Sequence, residues 1–297
     1  MLQQTRVVAV LDRYQIFLKR FPDVKALARA DVEDVLALWS GLGYYRRARA
    51  LHQAATRIAA SGGVLPKTAE QWRKLPGIGR YTAAAIASIA FGERCAVVDG
   101  NVERVVRRIK GSQDMAVGDT WDTARKWLSP SRPGDFNQAL MELGATVCRP
   151  AGPQCEVCPL RTWCRTQGEL PSKPAVGRMR RDTAYALALR RGAVYLRQRG
   201  AAESLMPGMW ELPEIEPNGH LPEFTLRHAI TVTDFRVSVF RAPETGDGLR
   251  SVDGQTHPSK IGLGGPPGHG RWVAWRKASA LPLTGLARKI LRRAGVI

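Results

Sequence analysis

The chain has 297 residues, with 45 Lys+Arg against 26 Asp+Glu and a formal net charge of +19. That length suits two domains, each with its own core, and the charge sets the chain apart from the near-neutral balance of a metabolic enzyme. It favours a polyanion, nucleic acid ahead of an anionic membrane surface.

No apolar run is long enough to span a bilayer, and Met1-Leu2-Gln3-Gln4-Thr5 is too polar to open a signal peptide. The expected location is therefore the cytoplasm, at the nucleoid, without membrane association. Disulfides are rare there, so the five cysteines need another role.

Residues 2–170 read as mostly helical. Asp31 caps a segment with Val35, Leu36, Leu38 and Trp39 on its apolar side. Gly41-Leu42-Gly43 breaks it. A second helix starts near Tyr44, with Ala48, Leu51, Ala55 and Ile58 at helical spacing, and Gly62-Gly63 ends it. Thr68 and Gln71 form a capping box. Leu75-Pro76-Gly77-Ile78-Gly79 follows, then an Ala-rich helix over about Arg80–Phe91. Further helices are predicted near 102–110, 120–129 and 135–147. After Cys164 the character changes. Residues 171–182, opening on Pro171-Ser172-Lys173-Pro174, read as a linker. From 183 short β-like runs appear at Ala184–Leu189, Val194–Arg197, Phe235–Arg241 and Trp272–Trp275. Gly262–Gly270 reads as a mobile loop, and Leu286–Ala294 as a closing basic helix. The prediction is an all-α domain over 1–170, a linker over 171–182 and an α+β domain over 183–297.

Three constellations carry chemistry. Cys148-x6-Cys155-x2-Cys158-x5-Cys164 puts four thiolates in one short loop, able to surround one metal centre. A zinc ribbon presents two Cys-x-x-Cys knuckles; one such pair with unequal arms suits a larger object, a cubane cluster. Zinc and four unrelated buried thiols are the alternatives. Leu75–Ala83 holds two glycines two apart at a helix start, where backbone N–H groups and the positive helix end favour a phosphate; an ordinary turn between helices is the plainer reading. Ala96-Val97-Val98-Asp99-Gly100-Asn101-Val102 sets a carboxylate between an apolar run and a helix. Asp99 or Asn101 could simply cap, or the carboxylate could face a bound nucleotide.

These features, in this order and spacing, resemble the helix–hairpin–helix DNA glycosylases over nearly all of residues 1–170. Met1-Leu2-Gln3-Gln4-Thr5, Gly41-Leu42-Gly43-Tyr44-Tyr45 and Val98-Asp99-Gly100-Asn101-Val102 are similar to the MutY branch. The resemblance implies a monofunctional base-excision repair enzyme that hydrolyses adenine from mispairs with 8-oxoguanine or guanine in double-stranded DNA. It also implies a [4Fe-4S] cluster on Cys148, Cys155, Cys158 and Cys164, and action as a monomer. The adenine is flipped into a pocket. Asp99 would stabilise the positive charge developing on the sugar, with Asn101 and Tyr81 orienting groups around it. Gln3 and Gln4 resemble the wedge that fills the stack, and Tyr44 the aromatic beside 8-oxoguanine. Gly77, Gly79 and Arg80 would meet the DNA backbone. The related endonuclease III carries a Schiff-base lysine where this chain has Tyr81, so strong lyase activity is not expected.

The family's proton donor to adenine is a glutamic acid two positions before the Met of Met-Leu-Gln-Gln-Thr. This chain begins at that Met, so the acid and its helices are expected from an upstream segment. Glu33, Glu70 and Glu103 do not replace it. The second domain resembles the family's Nudix-like module, through Leu205-Met206-Pro207-Gly208-Met209-Trp210-Glu211-Leu212-Pro213 with Arg197 and Arg199 before it. No catalytic Nudix box is visible. Arg227-His228 lacks the Phe-Ser-His element that often follows, with Thr231 standing where the serine would be. The alternatives are a non-catalytic protein that binds DNA lesions, and an endonuclease III-like glycosylase.

Overall fold

The computed structural model describes residues 1, 5, 7–171, 177–200, 202–203, 205–216, 221–230, 232–242 and 270–297. Helices fill the first part in chain order: α1 (Val7–Arg20), α2 (Val24–Arg29), α3 (Val32–Trp39), α4 (Tyr45–Ala60), α5 (Ala69–Arg73), α6 (Arg80–Phe91), α7 (Gly100–Lys110), α8 (Val117–Trp127) and α9 (Pro133–Thr146). Their boundaries follow local chemistry. Asp31 accepts from the Glu33 amide, Thr68 and Gln71 form the reciprocal capping box, and Gly62 and Gly63 close the chain after α4 with positive φ. Leu51 is exposed, so the buried stripe of α4 runs through Ala48, Ala55 and Ile58.

The remainder is β-rich: β1 (Met179–Leu187), β2 (Leu189–Arg190), β3 (Ala193–Gln198), β4 (Trp210–Glu211), β5 (Glu214–Ile215), β6 (Phe224–Ile230), β7 (Thr233–Arg241) and β8 (Gly270–Ala274), then α10 (Trp275–Ala278) and α11 (Gly285–Arg293). One sheet runs β5-β1-β7-β6, with β1 and β7 parallel over nine residue pairs. The other runs β2-β3-β4, with β8 also on β3. Their apolar faces enclose Leu187, Val194, Leu196, Leu212, Val237 and Val239 with Ile290 and Leu291 of α11. β1 begins at Met179, inside the stretch read as a linker, and Trp275 opens a helix instead of closing a strand. Of the stretch read as a loop, residues 262–269 lie outside the described residues, and Gly270 opens β8.

β6 is the sheet's edge strand, with outward carbonyls that need partners. Lys289 Nζ donates to Arg227 O (2.7 Å) and Arg293 Nη1 to Thr225 O (3.0 Å), so α11 covers that edge.

The compact units cut across the linear split. One comprises residues 1–56 with 176–297, the other residues 57–175. In the first, α1, α3 and α4 bury Phe17, Leu36, Trp39 and Ala48 in a cluster that takes in Met209. Ser40 Oγ and Tyr45 Oη both donate to Leu283 O. These contacts join the amino-terminal helices to the β-rich part, which the change in composition after Cys164 conceals. In the second unit, Val102, Val105 and Val106 of α7 pack with Trp121, Ala124 and Leu140. Among the described residues no helix is long and apolar enough to cross a membrane.

Candidate active site and cysteine loop

The unit spanning 57–175 carries most of the site residues read from the sequence. α5 ends at Arg73, and the chain turns through Leu75–Gly79 into α6. Gly77 sits at φ 69°, where an L side chain is strained. Gly79 is the N-cap of α6 and offers no side-chain cap; a Cβ there would meet nothing within 4 Å. The first amides of α6 thus start a helix whose positive end is uncapped by its own side chains. Arg80 stacks its guanidinium 3.8 Å from the Trp121 ring centroid, which fixes its stem beside the turn.

After α6, residues 95–98 lie outside any helix or strand. The Val97 amide donates to Asn137 Oδ1 (3.1 Å), and Asn137 Nδ2 donates to Ser88 Oγ and Cys95 O (2.9 Å each). Asn137 is buried, so α9 pins this segment through a satisfied polar network. The segment delivers Asp99 to the start of α7, where Oδ1 accepts from the Val102 amide (2.8 Å) and Oδ2 from Asn101 Nδ2 (3.1 Å). Asp99 thus caps the helix, and the same bonds fix the orientation of its half-buried carboxylate. Tyr81 lies close enough for Asp99 to act on it. Its hydroxyl pKa is raised, first by burial and then by the Asp99 charge, and it donates to Met141 Sδ at 3.7 Å.

Behind Asn101, α7 and α9 approach closely. A Cβ on Gly144 would stand 2.6 Å from Asn101 Cβ and 3.0 Å from its backbone, so only glycine fits. Arg104 uses this proximity. Its Nη2 donates to Asn101 Oδ1 (2.9 Å) and Gly144 O (2.7 Å), and its Nε to Cys148 O (2.8 Å). One turn further, the buried Arg108 donates to Cys148 Sγ (3.4 Å), Arg149 O (2.6 Å) and Pro150 O (2.9 Å). The Cys164 thiol faces Arg108 O at 3.4 Å. α7 is thus a rod of eleven residues, with Asp99 at one end and the cysteine loop along its flank.

Cys148, Cys155, Cys158 and Cys164 all line one solvent-open hollow, with Arg108 and Arg161 in its wall. Partial burial raises the Cys155 pKa first, then the neighbouring Cys164, Cys148 and Cys158. Among the described residues no three His, Cys, Asp or Glu side chains gather tightly enough to hold a single ion. Four sulfur donors around one cavity, with a buried guanidinium as counter-charge, fit an anionic multi-metal thiolate centre better than one zinc.

Tyr44 belongs to the other compact unit. It is half-exposed, holds φ 50°, and lies under the Arg47 guanidinium, 5.0 Å from its ring centroid. Gln3, Gln4 and Thr231 lie outside the described residues. Glu33 accepts from Gln198, while Glu70 and Glu103 pair with Lys74 and Arg107. Arg104, Arg108, Asn137 and Gly144 went unread in the sequence. One signal existed: Arg104 and Arg108 are one turn apart, on a helix whose valines at 102, 105 and 106 already define its buried stripe.

Residues 1–130 match the HhH-GPD superfamily base excision DNA repair protein family. The chain is 48% identical over 174 residues to a human adenine DNA glycosylase, covering 56% of this chain and 32% of that protein. It is 34% identical over 275 residues to an Arabidopsis thaliana adenine DNA glycosylase, covering 78% of this chain and 44% of that protein. The chain thus spans less than half the length of these relatives. Its fold is similar to that of a thermostable thymine-DNA glycosylase, with a TM-score of 0.52 at 27% identity, over 56% of this chain and 79% of that one.

Proposed function

We propose that this protein, whose residues 1–130 match the HhH-GPD superfamily of base excision DNA repair proteins, is an adenine DNA glycosylase. It hydrolyses the N-glycosidic bond of adenine mispaired with 8-oxoguanine or guanine in double-stranded DNA. The observation that carries the reading is Asp99, oriented by Asn101 and the α7 amide and half-buried beside Tyr81. Departure of the base leaves positive charge on the sugar, and a preorganised carboxylate stabilises that charge where water is excluded. Tyr81 cannot form a Schiff base, so the product is an intact abasic site. The Gly77–Gly79 turn and the start of α6 bind backbone phosphate, and Arg80 reinforces the positive field. Gln3 and Gln4 wedge into the stack, and Tyr44 stacks beside the opposite base.

Cys148, Cys155, Cys158 and Cys164 would hold a [4Fe-4S] cluster, which when bound supplies a four-point clasp for the loop over 148–164. Arg108, which donates to Cys148 Sγ, would balance its negative charge, and Arg104 ties the loop's first carbonyl to Asn101. The β-rich part serves as a Nudix-like module for reading the opposite base.

The test incubates duplexes carrying adenine opposite 8-oxoguanine, guanine or thymine with the protein expressed from its full reading frame. Adenine release from the two mispairs and not from A:T is the expected result; absence of release from both mispairs would sink the proposal. Cys158→Ser should lose the visible cluster absorbance and weaken duplex binding. Unchanged absorbance would remove the cluster from this loop.

A further inference from the structure

Within the unit formed by residues 1–56 and 176–297, Tyr44 is half-exposed and holds a left-handed φ of 50°. A non-glycine residue in that region carries strain, and it stays there only where its surroundings hold it. The hold comes from the β-rich part. Ser40 and Tyr45, on either side of Tyr44, are both buried, and each donates its hydroxyl to Leu283 O (3.2 and 3.3 Å). That oxygen thereby uses both its lone pairs. Leu283 is itself fixed. It bridges to Trp210 of β4, whose amide donates to Pro282 O and whose carbonyl accepts from the Thr284 amide (2.9 Å each). Inside the turn, the Gly41 amide donates to Tyr45 Oη (3.3 Å), and Trp39 Nε1 donates to Gly43 O (3.1 Å). Arg288 of α11 completes the set. Its Nη2 donates to Ser40 Oγ (2.8 Å), which turns the serine proton toward Leu283 O. The Arg288 guanidinium is half-buried and its Nε has no hydrogen-bond partner among the described residues. Its charged or titratable neighbours are Tyr45, Arg13 and Arg292, none of them a carboxylate. Taking a cation out of water without an acid to answer it costs free energy. Stability therefore does not account for an arginine at this place, whereas the aim of the Ser40 hydroxyl does.

We propose that Arg288 is a positioning residue for Tyr44. Through Ser40 and the Leu283 carbonyl it locks the turn over residues 40–45, so that the Tyr44 ring is already placed when the base opposite adenine arrives. A ring fixed beforehand loses less freedom on stacking. It also discriminates better, because a ring free to shift accommodates guanine and 8-oxoguanine alike. α11 thus contributes to the choice of opposite base through a side chain that faces the turn. The inference rests on the reading of Tyr44 as the residue beside the opposite base, and its test separates the two.

The test measures dissociation constants of the full chain for two duplexes. Each carries a fluorinated deoxyadenosine that resists hydrolysis, opposite 8-oxoguanine in one and opposite guanine in the other. The ratio of the two constants is the discrimination. Arg288→Met keeps the length of the side chain and removes its donors. Its urea midpoint should match or exceed the parent's, while discrimination falls by about three- to tenfold, the worth of one hydrogen bond. Arg288→Lys keeps a donor and should restore most of the loss. In a Tyr44→Ala background, Arg288→Met should cause no further fall, because its effect runs through Tyr44. If Arg288→Met does not fold, Tyr45→Phe, which breaks the neighbouring bond to Leu283 O, should give the same fall and the same dependence on Tyr44. Unchanged discrimination, or an equal fall with and without Tyr44, overturns the proposal and leaves the reading of Tyr44 standing. A Tyr44→Ala protein that discriminates as the parent does overturns that reading and the proposal with it. Failure to release adenine from hydrolysable duplexes, with the discrimination results as expected, overturns the glycosylase reading alone.

Discussion

Asp99 can be tested so that its cap and its carboxylate come apart. Asparagine is as good an N-cap as aspartate, so Asp99→Asn keeps the bond from Val102 but sets a donor against Asn101 Nδ2, and the stability loss should stay near about 1 kcal/mol. Base release should fall by about 10² to 10³ or more, the scale set by losing a preorganised electrostatic partner. A variant that retains release would remove Asp99 from the chemistry. Gly144 tests the packing behind it. Gly144→Ala drives a methyl into Asn101 and must separate α7 from α9 locally. Overpacking of that kind costs about 1–3 kcal/mol, read by urea unfolding, and it should reduce base release beyond the stability loss because Asn101 is displaced. An unchanged midpoint would show that the helices are free to move apart there. Cys95, with its thiol pKa pushed up to about 11 chiefly by burial, is outside this machinery and remains protonated at neutral pH.

At the scale of elements, what the sequence reveals depends on how local the determinants are. α5 and α6 are legible almost residue for residue, because the Thr68–Gln71 box and the Gly79 and Gly92 termini are local signals. Asp99 is legible as well, as a carboxylate between an apolar run and a helix. Arg104 is not, since a mid-helix arginine normally reads as a solvated face; its partners Gly144 and Cys148 are forty and forty-four residues away. β6 escapes notice because its residues alternate without a long apolar run, and its place is set by pairing with β7 and by α11. The parallel match of β1 with β7 joins residues more than fifty positions apart, which no local pattern encodes. β6 also carries a pH signature. His228 has a native pKa below its ordinary 6.5, lowered by burial and then by Lys289. Its neutral form is favoured in the folded chain, so the contribution to stability is complete above the unfolded value and is lost as pH falls through the native one. The thermal midpoint should therefore drop between about pH 7.5 and about pH 5.5, less steeply in His228→Gln. Equal slopes for both proteins would contradict this.

For the molecule as a whole, the division into 1–56 with 176–297 and 57–175 means that the chain leaves and re-enters one unit. Cutting it after residue 175 should therefore destabilise residues 1–56 in the amino-terminal fragment while residues 57–175 keep their own core, because Phe17, Leu36 and Trp39 share their cluster with Met209. Hydrogen-exchange protection of residues 7–56 in a 1–175 fragment equal to that in the whole chain would refute this. The bonds from Lys289 and Arg293 to the β6 carbonyls carry a last consequence. A bare strand margin is a template on which a neighbouring molecule can add its own strand, and repetition of that addition builds filaments. By occupying those carbonyls with cations, α11 both blocks the hydrogen-bonding positions and repels an identical neighbour. Lys289→Ser with Arg293→Ser should therefore leave a protein that sediments as one species when dilute and grows thioflavin-positive fibrils on concentration, while the parent chain stays dispersed.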